Sequence, residues 1–234
     1  MKPVLHIISD RNRHRLPLLQ ALVESAKGGA DVIQIRDKKS PACETYSLVR
    51  QLQNHLQERN LVSQIFVNDR ADIAITTDIS GVHLASKSLP IASVVRLRKL
   101  ADWSGQIGCS VHELDEAILA EEAGADYVTF GHIFASESHP GVPPRGVYAL
   151  RRVVDALSIP VIAIGGIDHT NVETVLETGC SGIAVIGAVL NTTDPLNAVK
   201  KLKGAMEKSE FLPKVAFLQK TRQGDHENGC MRKG

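Results

Sequence analysis

Asp126-Tyr127-Val128-Thr129-Phe130-Gly131-His132-Ile133-Phe134 reads as a short apolar strand that ends at a glycine and hands over a histidine. Tyr127, Val128 and Phe130 are strand formers, and Gly131, lacking a Cβ, lets the backbone turn or approach a ligand closely. Upstream, His112 to Ala123 carries Leu114, Ala117, Ile118 and Ala120 on one helical face. Downstream, a Pro/Gly-rich loop from Ser136 to Gly146 leads into a second helix, Val147 to Leu157. A strand with a helix on either side is the repeating unit of a parallel α/β sheet. His132 then stands at the carboxyl end of its strand, where ligands collect in such folds. Histidine can give or take a proton near neutral pH, although a strand-end histidine also serves as a plain structural hydrogen-bonding group.

Working outward, the same unit recurs along the chain. Apolar strands are expected at Val4 to Ile8, Asp31 to Arg36, Gln64 to Asn68, Gly81 to Leu84, Gln106 to Val111, Pro160 to Gly166 and Gly182 to Gly187. The helices between them are Leu16 to Lys27, one starting at Pro41, Ala71 to Thr76, Pro90 to Leu100 and Thr170 to Glu177. A last helix starts at Asp194-Pro195, an N-cap followed by a proline at the first helical position. Near-continuous apolar strands are those buried on both faces. Eight such units predict a closed (β/α)8 TIM barrel, class α/β, in a single domain over residues 1–208. An open doubly wound sheet is the other candidate, but no Gly-x-Gly-x-x-Gly follows the first strand. Residues 209–234 are expected to form a polar, partly disordered tail with one apolar patch at Val215 to Leu218, part of it docked on the barrel.

The composition excludes several classes. Of 234 residues, 43% are apolar and 23% charged, and the net charge of +1 offers no field for nucleic acid or an acidic membrane. Cys43, Cys109, Cys180 and Cys230 are widely spaced and form no Cys-x-x-Cys, which argues against a zinc site or a disulfide framework. No apolar run is long enough to span a bilayer and no leader pattern precedes Val4, so the expected compartment is the cytoplasm.

Four constellations carry candidate chemistry. Ile164-Gly165-Gly166-Ile167-Asp168 and Val185-Ile186-Gly187-Ala188 end the seventh and eighth strands, where (β/α)8 barrels commonly bind phosphate through backbone N–H groups. Gln34-Ile35-Arg36-Asp37-Lys38-Lys39 leaves the second strand; Arg36 is costly to bury unpaired and should reach a carboxylate or phosphate, whereas the lysines suit a solvated loop equally. Asn68-Asp69-Arg70-Ala71-Asp72 follows the third strand, where Asp69 can bind a metal, orient Arg36 or cap the next helix. Ser110 ends the fifth strand and can donate into the same mouth, while His112 is expected on the surface. His6, His83 and His139 lack metal-ligand spacing and read as incidental.

Taken together, seven motifs resemble the thiamine phosphate synthase family in order and spacing. They are Gln34-Ile35-Arg36-Asp37-Lys38, Val67-Asn68-Asp69-Arg70-Ala71-Asp72, Gly81-Val82-His83-Leu84, Gly108-Cys109-Ser110-Val111-His112, Gly124-Ala125-Asp126-Tyr127-Val128, Ala163-Ile164-Gly165-Gly166-Ile167 and Gly182-Ile183-Ala184-Val185-Ile186. The likeness runs from about residue 4 to about residue 205. It implies a (β/α)8 barrel and one of two activities. The synthase joins a pyrimidine diphosphate to a thiazole phosphate using magnesium; the related thiazole tautomerase aromatises the carboxythiazole phosphate beforehand.

The departures favour the tautomerase at this level. Ala85-Ser86-Lys87-Ser88 stands where the synthase pattern has Gly-Gln-x-Asp, so Ser88 replaces the second magnesium carboxylate and leaves Asp69 alone, a poor magnesium-diphosphate site. His139 stands at the synthase lysine, His132 at its proline, and Gly187 at the usual serine; Gly131-His132 resembles the tautomerase. The resemblance therefore implies an isomerase that moves a proton with His132 as acid and base and needs no metal or organic cofactor. Arg36, Ser110, Gly165, Gly166, Ile186 and Gly187 would bind the thiazole phosphate, with Gln34, Lys38, Asn68 and Asp69 as weaker candidates. A homodimer is also implied. The alternatives are thiamine phosphate synthase itself, or a non-catalytic regulatory barrel that binds a thiamine precursor.

Overall fold

The computed structural model describes residues 2–37, 39–136 and 141–217. Its strands are β1 (Val4–Ile8), β2 (Val32–Ile35), β3 (Gln64–Asn68), β4 (Gly81–Leu84), β5 (Gln106–Val111), β6 (Tyr127–Gly131), β7 (Val161–Ile164) and β8 (Gly182–Val185). All pairs are parallel, and β8 returns to β1 to close the barrel, with Val4 opposite Gly182 and His6 opposite Ala184. The helices are α1 (Leu18–Lys27), α2 (Ala42–Glu58), α3 (Ala71–Thr76), α4 (Ile91–Leu100), α5 (Leu114–Glu122), α6 (Gly146–Ala156), α7 (Val172–Leu176), α8 (Gly187–Leu190) and α9 (Pro195–Lys208). The (β/α)8 expectation is met. The single turn α8 directly after β8 was not anticipated, because four residues show no helical period.

Alternation along each strand sorts the core into two layers. Leu5, Ile7, Ile33, Ile35, Val67, Val82, Ile107, Val128 and Phe130 face the helices in one continuous cluster. Val4, Ile8, Val32, Phe66, Tyr127, Ile162 and Ala184 point into the barrel. The lumen is closed by rings laid over glycine: a Cβ on Gly108 would come within 2.1 Å of the Tyr127 ring, and one on Gly81 within 2.5 Å of Phe66. The interior is thus a packed core, and a ligand-sized space opens at the carboxyl ends of the strands.

Two aspartates pin the other end. Asp31, just ahead of β2, accepts the Leu5 amide at 2.7 Å and the Lys203 ammonium at 2.8 Å. Asp126, just ahead of β6, accepts the Ile107 amide at 2.6 Å and pairs with Arg98. At α9, Asp194 caps the helix by accepting the Asn197 amide at 3.1 Å, with Pro195 in the first turn, as its sequence predicts. The segment after α9 docks beneath the barrel. Lys214 donates to the Val154 and Asp155 carbonyls, Ser181 Oγ donates to the Val215 carbonyl, and Phe217 enters the inner core. The expected tail from 218 onward lies outside the described residues.

Candidate active site

The carboxyl ends of the strands surround a cavity of about 690 Å³, within the ordinary size of small-ligand sites. Two-residue alternation explains its lining. Gln34, Arg36, Asn68, His83, Ser110, Thr129 and Ile164 are upper inward positions of their strands, and the strand-end loops add Asp69, Gly165, Gly166, Ile186 and Gly187. The structure therefore gathers Gln34, Arg36, Asn68, Asp69, Ser110, His132, Gly165, Gly166, Ile186 and Gly187 in one mouth, as expected from sequence. Lys38 and His139 lie outside the described residues.

One wall is polar and charged. Ser9 holds the backbone of Arg36 from both sides: the Arg36 amide donates to Ser9 Oγ at 2.7 Å, and Ser9 Oγ donates to the Arg36 carbonyl at 3.1 Å. The guanidinium lies 3.8 Å from Asp10, and Arg13 approaches the same carboxylate at 3.7 Å. Gln34 Nε2 donates to Asn68 Oδ1 at 2.6 Å, and Gln34 Oε1 is buried with no hydrogen-bond partner among the described residues. Asp69 follows with φ at +62°, a left-handed conformation that Asp adopts more readily than most residues and that costs roughly 1–3 kcal/mol. Its carboxylate accepts a hydrogen bond from Ser88 Oγ.

The facing wall is backbone. Gly165 and Gly166 have φ of +103° and +67°, which favours glycine, and Cβ atoms there would fall 2.3 Å from His132 Cβ and 2.5 Å from the Ala135 carbonyl oxygen. Gly165, Gly166, Ile186 and Gly187 line the same cavity, and backbone N–H groups at such turns are suited to an oxyanion. His132 is wedged between this turn and the loop after β6. It is 3% exposed, and its Nε2 lies 3.1 Å from the Val142 carbonyl.

The floor holds groups that sequence reasoning missed. His83, read as incidental, is buried with Nδ1 at 2.9 Å from the Tyr127 hydroxyl and Nε2 at 2.9 Å from Ser110 Oγ. Burial pushes its imidazole down to about 3, helped by the charges of His6 and Arg36, so it is neutral at ordinary pH. Burial raises the Tyr127 phenol, which stays protonated. The signal was available in the alternation: inward Gly81 makes His83 inward too. His112 is exposed at the rim, as expected, and its ring nitrogen Nδ1 lies 2.7 Å from the Gly131 carbonyl.

Among the described residues no three His, Cys, Asp or Glu side chains converge into a metal cage. Magnesium does not require one, since it is commonly held by one or two carboxylates together with substrate phosphates and water. Asp69, with the Ser88 hydroxyl beside it, is a donor set of that kind for an ion carried by a diphosphate.

The family model described as thiamine monophosphate synthase matches residues 5–189. A thiamine-phosphate synthase of Pyrococcus furiosus is 36% identical over 203 residues, covering 87% of this chain and 94% of its own. One of Chlorobium phaeovibrioides is 39% identical over 213 residues, covering 90% and 98%. The solved thiamine phosphate pyrophosphorylase of Pyrococcus furiosus superposes with a TM-score of 0.77 at 36% identity, covering 87% of this chain and 95% of its own. A 3-hexulose-6-phosphate synthase at 19% identity and a TM-score of 0.65 shares the fold. These relatives overturn the expectation of a thiazole tautomerase and an isomerase: they are synthases, hence transferases. The tautomerase reading leaned on Gly131-His132, a local departure. In the structure that ring lines the same mouth, with Nε2 3.1 Å from the Val142 carbonyl.

Proposed function

The chain belongs to the thiamine monophosphate synthase family, and on that premise we propose that it couples hydroxymethylpyrimidine diphosphate to thiazole phosphate, releasing diphosphate and forming thiamine phosphate. The observation that carries this reading is two places for phosphate groups across one cavity: the Arg36 guanidinium on one side, with Asp69 beside it as a candidate metal ligand, and the glycine backbone on the other. A transfer between two phosphorylated substrates needs two such places, whereas an isomerase of one phosphate ester needs a single one.

The thiazole phosphate occupies the backbone cradle of Gly165, Gly166, Ile186 and Gly187, where N–H groups meet its oxygens without bringing a competing charge. The diphosphate lies toward Arg36, whose planar guanidinium suits phosphate oxygens. Asp69 with Ser88 would hold magnesium, which when bound neutralises charge on the departing diphosphate. Gln34, Asn68 and Ser110 meet the pyrimidine between them. The thiazole nitrogen then replaces the diphosphate oxygen on the pyrimidine's methylene carbon: one C–N bond forms and one C–O bond breaks. The chain's contribution is to hold the thiazole nitrogen, the methylene carbon and the departing diphosphate oxygen in line and to keep the site dry.

The same reading makes the protein a cytoplasmic homodimer, the second part of which light scattering on the purified protein checks. Structurally, no helix among the described residues is long and apolar enough to cross a membrane. The test of function is direct. Purified protein is mixed with both substrates and magnesium, and thiamine phosphate and diphosphate are measured. Equal amounts of the two products support the reading; folded protein that forms neither refutes it.

A further inference from the structure

The floor of the cavity contains a chain of hydroxyl and imidazole groups whose hydrogens can be placed by counting. Tyr127 is fully buried, its ring packed on His6, Phe66 and Phe217 at centroid separations of 5.9, 5.8 and 5.2 Å. A buried phenol must spend its one hydrogen on an acceptor, and the hydrogen-bond partner of Tyr127 among the described residues is His83 Nδ1 at 2.9 Å. With Nδ1 accepting, the neutral imidazole carries its hydrogen on Nε2. That hydrogen points at Ser110 Oγ, 2.9 Å away. Thr129 Oγ1, 3.4 Å from Nε2, has no lone pair there to donate to and donates instead to Ser110 Oγ at 3.3 Å. A hydroxyl oxygen has two lone pairs and one hydrogen. Both lone pairs of Ser110 are then filled from below, by His83 and Thr129. With Thr129 as the donor of that bond, the Ser110 hydrogen is left for the cavity that Ser110 lines.

We propose that Tyr127 and His83 are positioning residues that lock Ser110 as a hydrogen-bond donor into the cavity, so that the ligand atom seated over it is an acceptor rather than an N–H or O–H group. For the pyrimidine substrate of the synthase reading, on which the ligand's identity rests, this selects a ring nitrogen or an ester oxygen over the exocyclic amine at that place. The polarity is set far from the ligand, by one phenol in the barrel core. Had Nδ1 carried the hydrogen, Ser110 would turn its hydroxyl down to Nε2 and offer the ligand only lone pairs.

Two measurements test this. In protein labelled with nitrogen-15 at histidine, the His83 ring is assigned by its loss in His83→Asn. The expected state is a bare Nδ1 and a protonated Nε2; a protonated Nδ1 overturns the proposal. The second is a double-mutant cycle on kcat/KM for the pyrimidine diphosphate. Tyr127→Phe and Ser110→Ala are each expected to lose about tenfold, the worth of one good hydrogen bond. The double variant is expected to match Ser110→Ala alone, because the phenol acts through that serine. Losses that multiply to about a hundredfold would mean that Tyr127→Phe acts by loosening the core, and would overturn the relay. If the wild-type protein forms no thiamine phosphate, the function proposed above fails, and the histidine spectrum still decides the relay.

Discussion

The Phe217 ring meets the His6 ring edge-on, with centroids 4.9 Å apart at an interplanar angle of 78°. One residue belongs to the first strand and the other follows the last helix, so the two ends of the described chain meet inside the barrel. Phe217 is 6% exposed and also touches Phe66 and Tyr127, which makes it the lower closure of the inner core. Phe217→Ala is expected to cost about 3 kcal/mol of unfolding free energy, within the range for removing a buried phenyl ring. The cavity is at the opposite end, so KM values should stay within about twofold. Urea melts and steady-state kinetics on the same variant check both; an unchanged melt would mean that the ring is not held in solution.

A pH effect follows from the two buried histidines. Neither ring nitrogen of His6 has a hydrogen-bond partner among the described residues, and burial pushes it down to about 3, as it does His83. Both have folded values below the ordinary 6.5, so below pH 6.5 the unfolded chain takes up protons that the folded chain refuses. Stability is complete above about pH 6.5 and falls as the pH drops toward 3. Each histidine contributes a loss of ~2 kcal/mol between pH 6.5 and 5. His6→Phe, which keeps a ring among Phe66, Tyr127 and Phe217, should remove about half of this slope in urea midpoints measured at pH 7 and pH 5. A slope equal to that of the wild type would show that His6 is not the titrating group.

The barrel was legible because each strand is a continuous apolar run bounded by a helix, and Arg36, Asp69 and the Gly165-Gly166 pair were legible because they stand at strand ends. His83 was not. It is one histidine in a four-residue strand, and what gives it meaning is Tyr127, 44 positions away. The docking of the segment around Phe217 was legible in part: Val215 to Leu218 is the apolar patch of a polar tail, but it is too short to show which residue enters the core. The choice of activity failed for a related reason: Gly131-His132 is a conspicuous local change, but the likeness to the synthases runs over residues 5–189 and is not decided at one dipeptide.

Ser88 offers a sharper test of the metal reading. Its hydroxyl accepts the Ala85 amide at 2.6 Å and donates to Asp69, so it sits where a second carboxylate would meet the same ion. Asp69→Asn removes the one carboxylate and is expected to lower kcat/KM about a hundredfold, the scale of losing one strong electrostatic contact in a transition state. Ser88→Asp adds a second carboxylate that can still accept from Ala85. It should lower the magnesium concentration needed for half-maximal rate by about tenfold, and chelator should abolish the rate in both proteins. No change in magnesium dependence for Ser88→Asp would remove Asp69 and Ser88 from the metal site.

The phosphate cradle can be separated from the diphosphate wall by substitutions that touch only one of them. Gly166 has φ at +67°, and a Cβ there would lie 2.5 Å from the Ala135 carbonyl oxygen, a backbone atom that cannot swing aside. Gly166→Ala should therefore displace the turn and its amides, raising the KM for thiazole phosphate by at least tenfold. Its effect on the KM for the pyrimidine diphosphate should stay within about twofold. Arg36→Ala should do the reverse, because Arg36 stands on the far wall and its backbone is held independently by Ser9. Ser9→Ala, which frees that backbone while leaving the guanidinium in place, should raise the KM for the diphosphate substrate less than Arg36→Ala does. Crossed effects, with Gly166→Ala weakening the diphosphate and Arg36→Ala the thiazole phosphate, would require the two substrates to exchange walls.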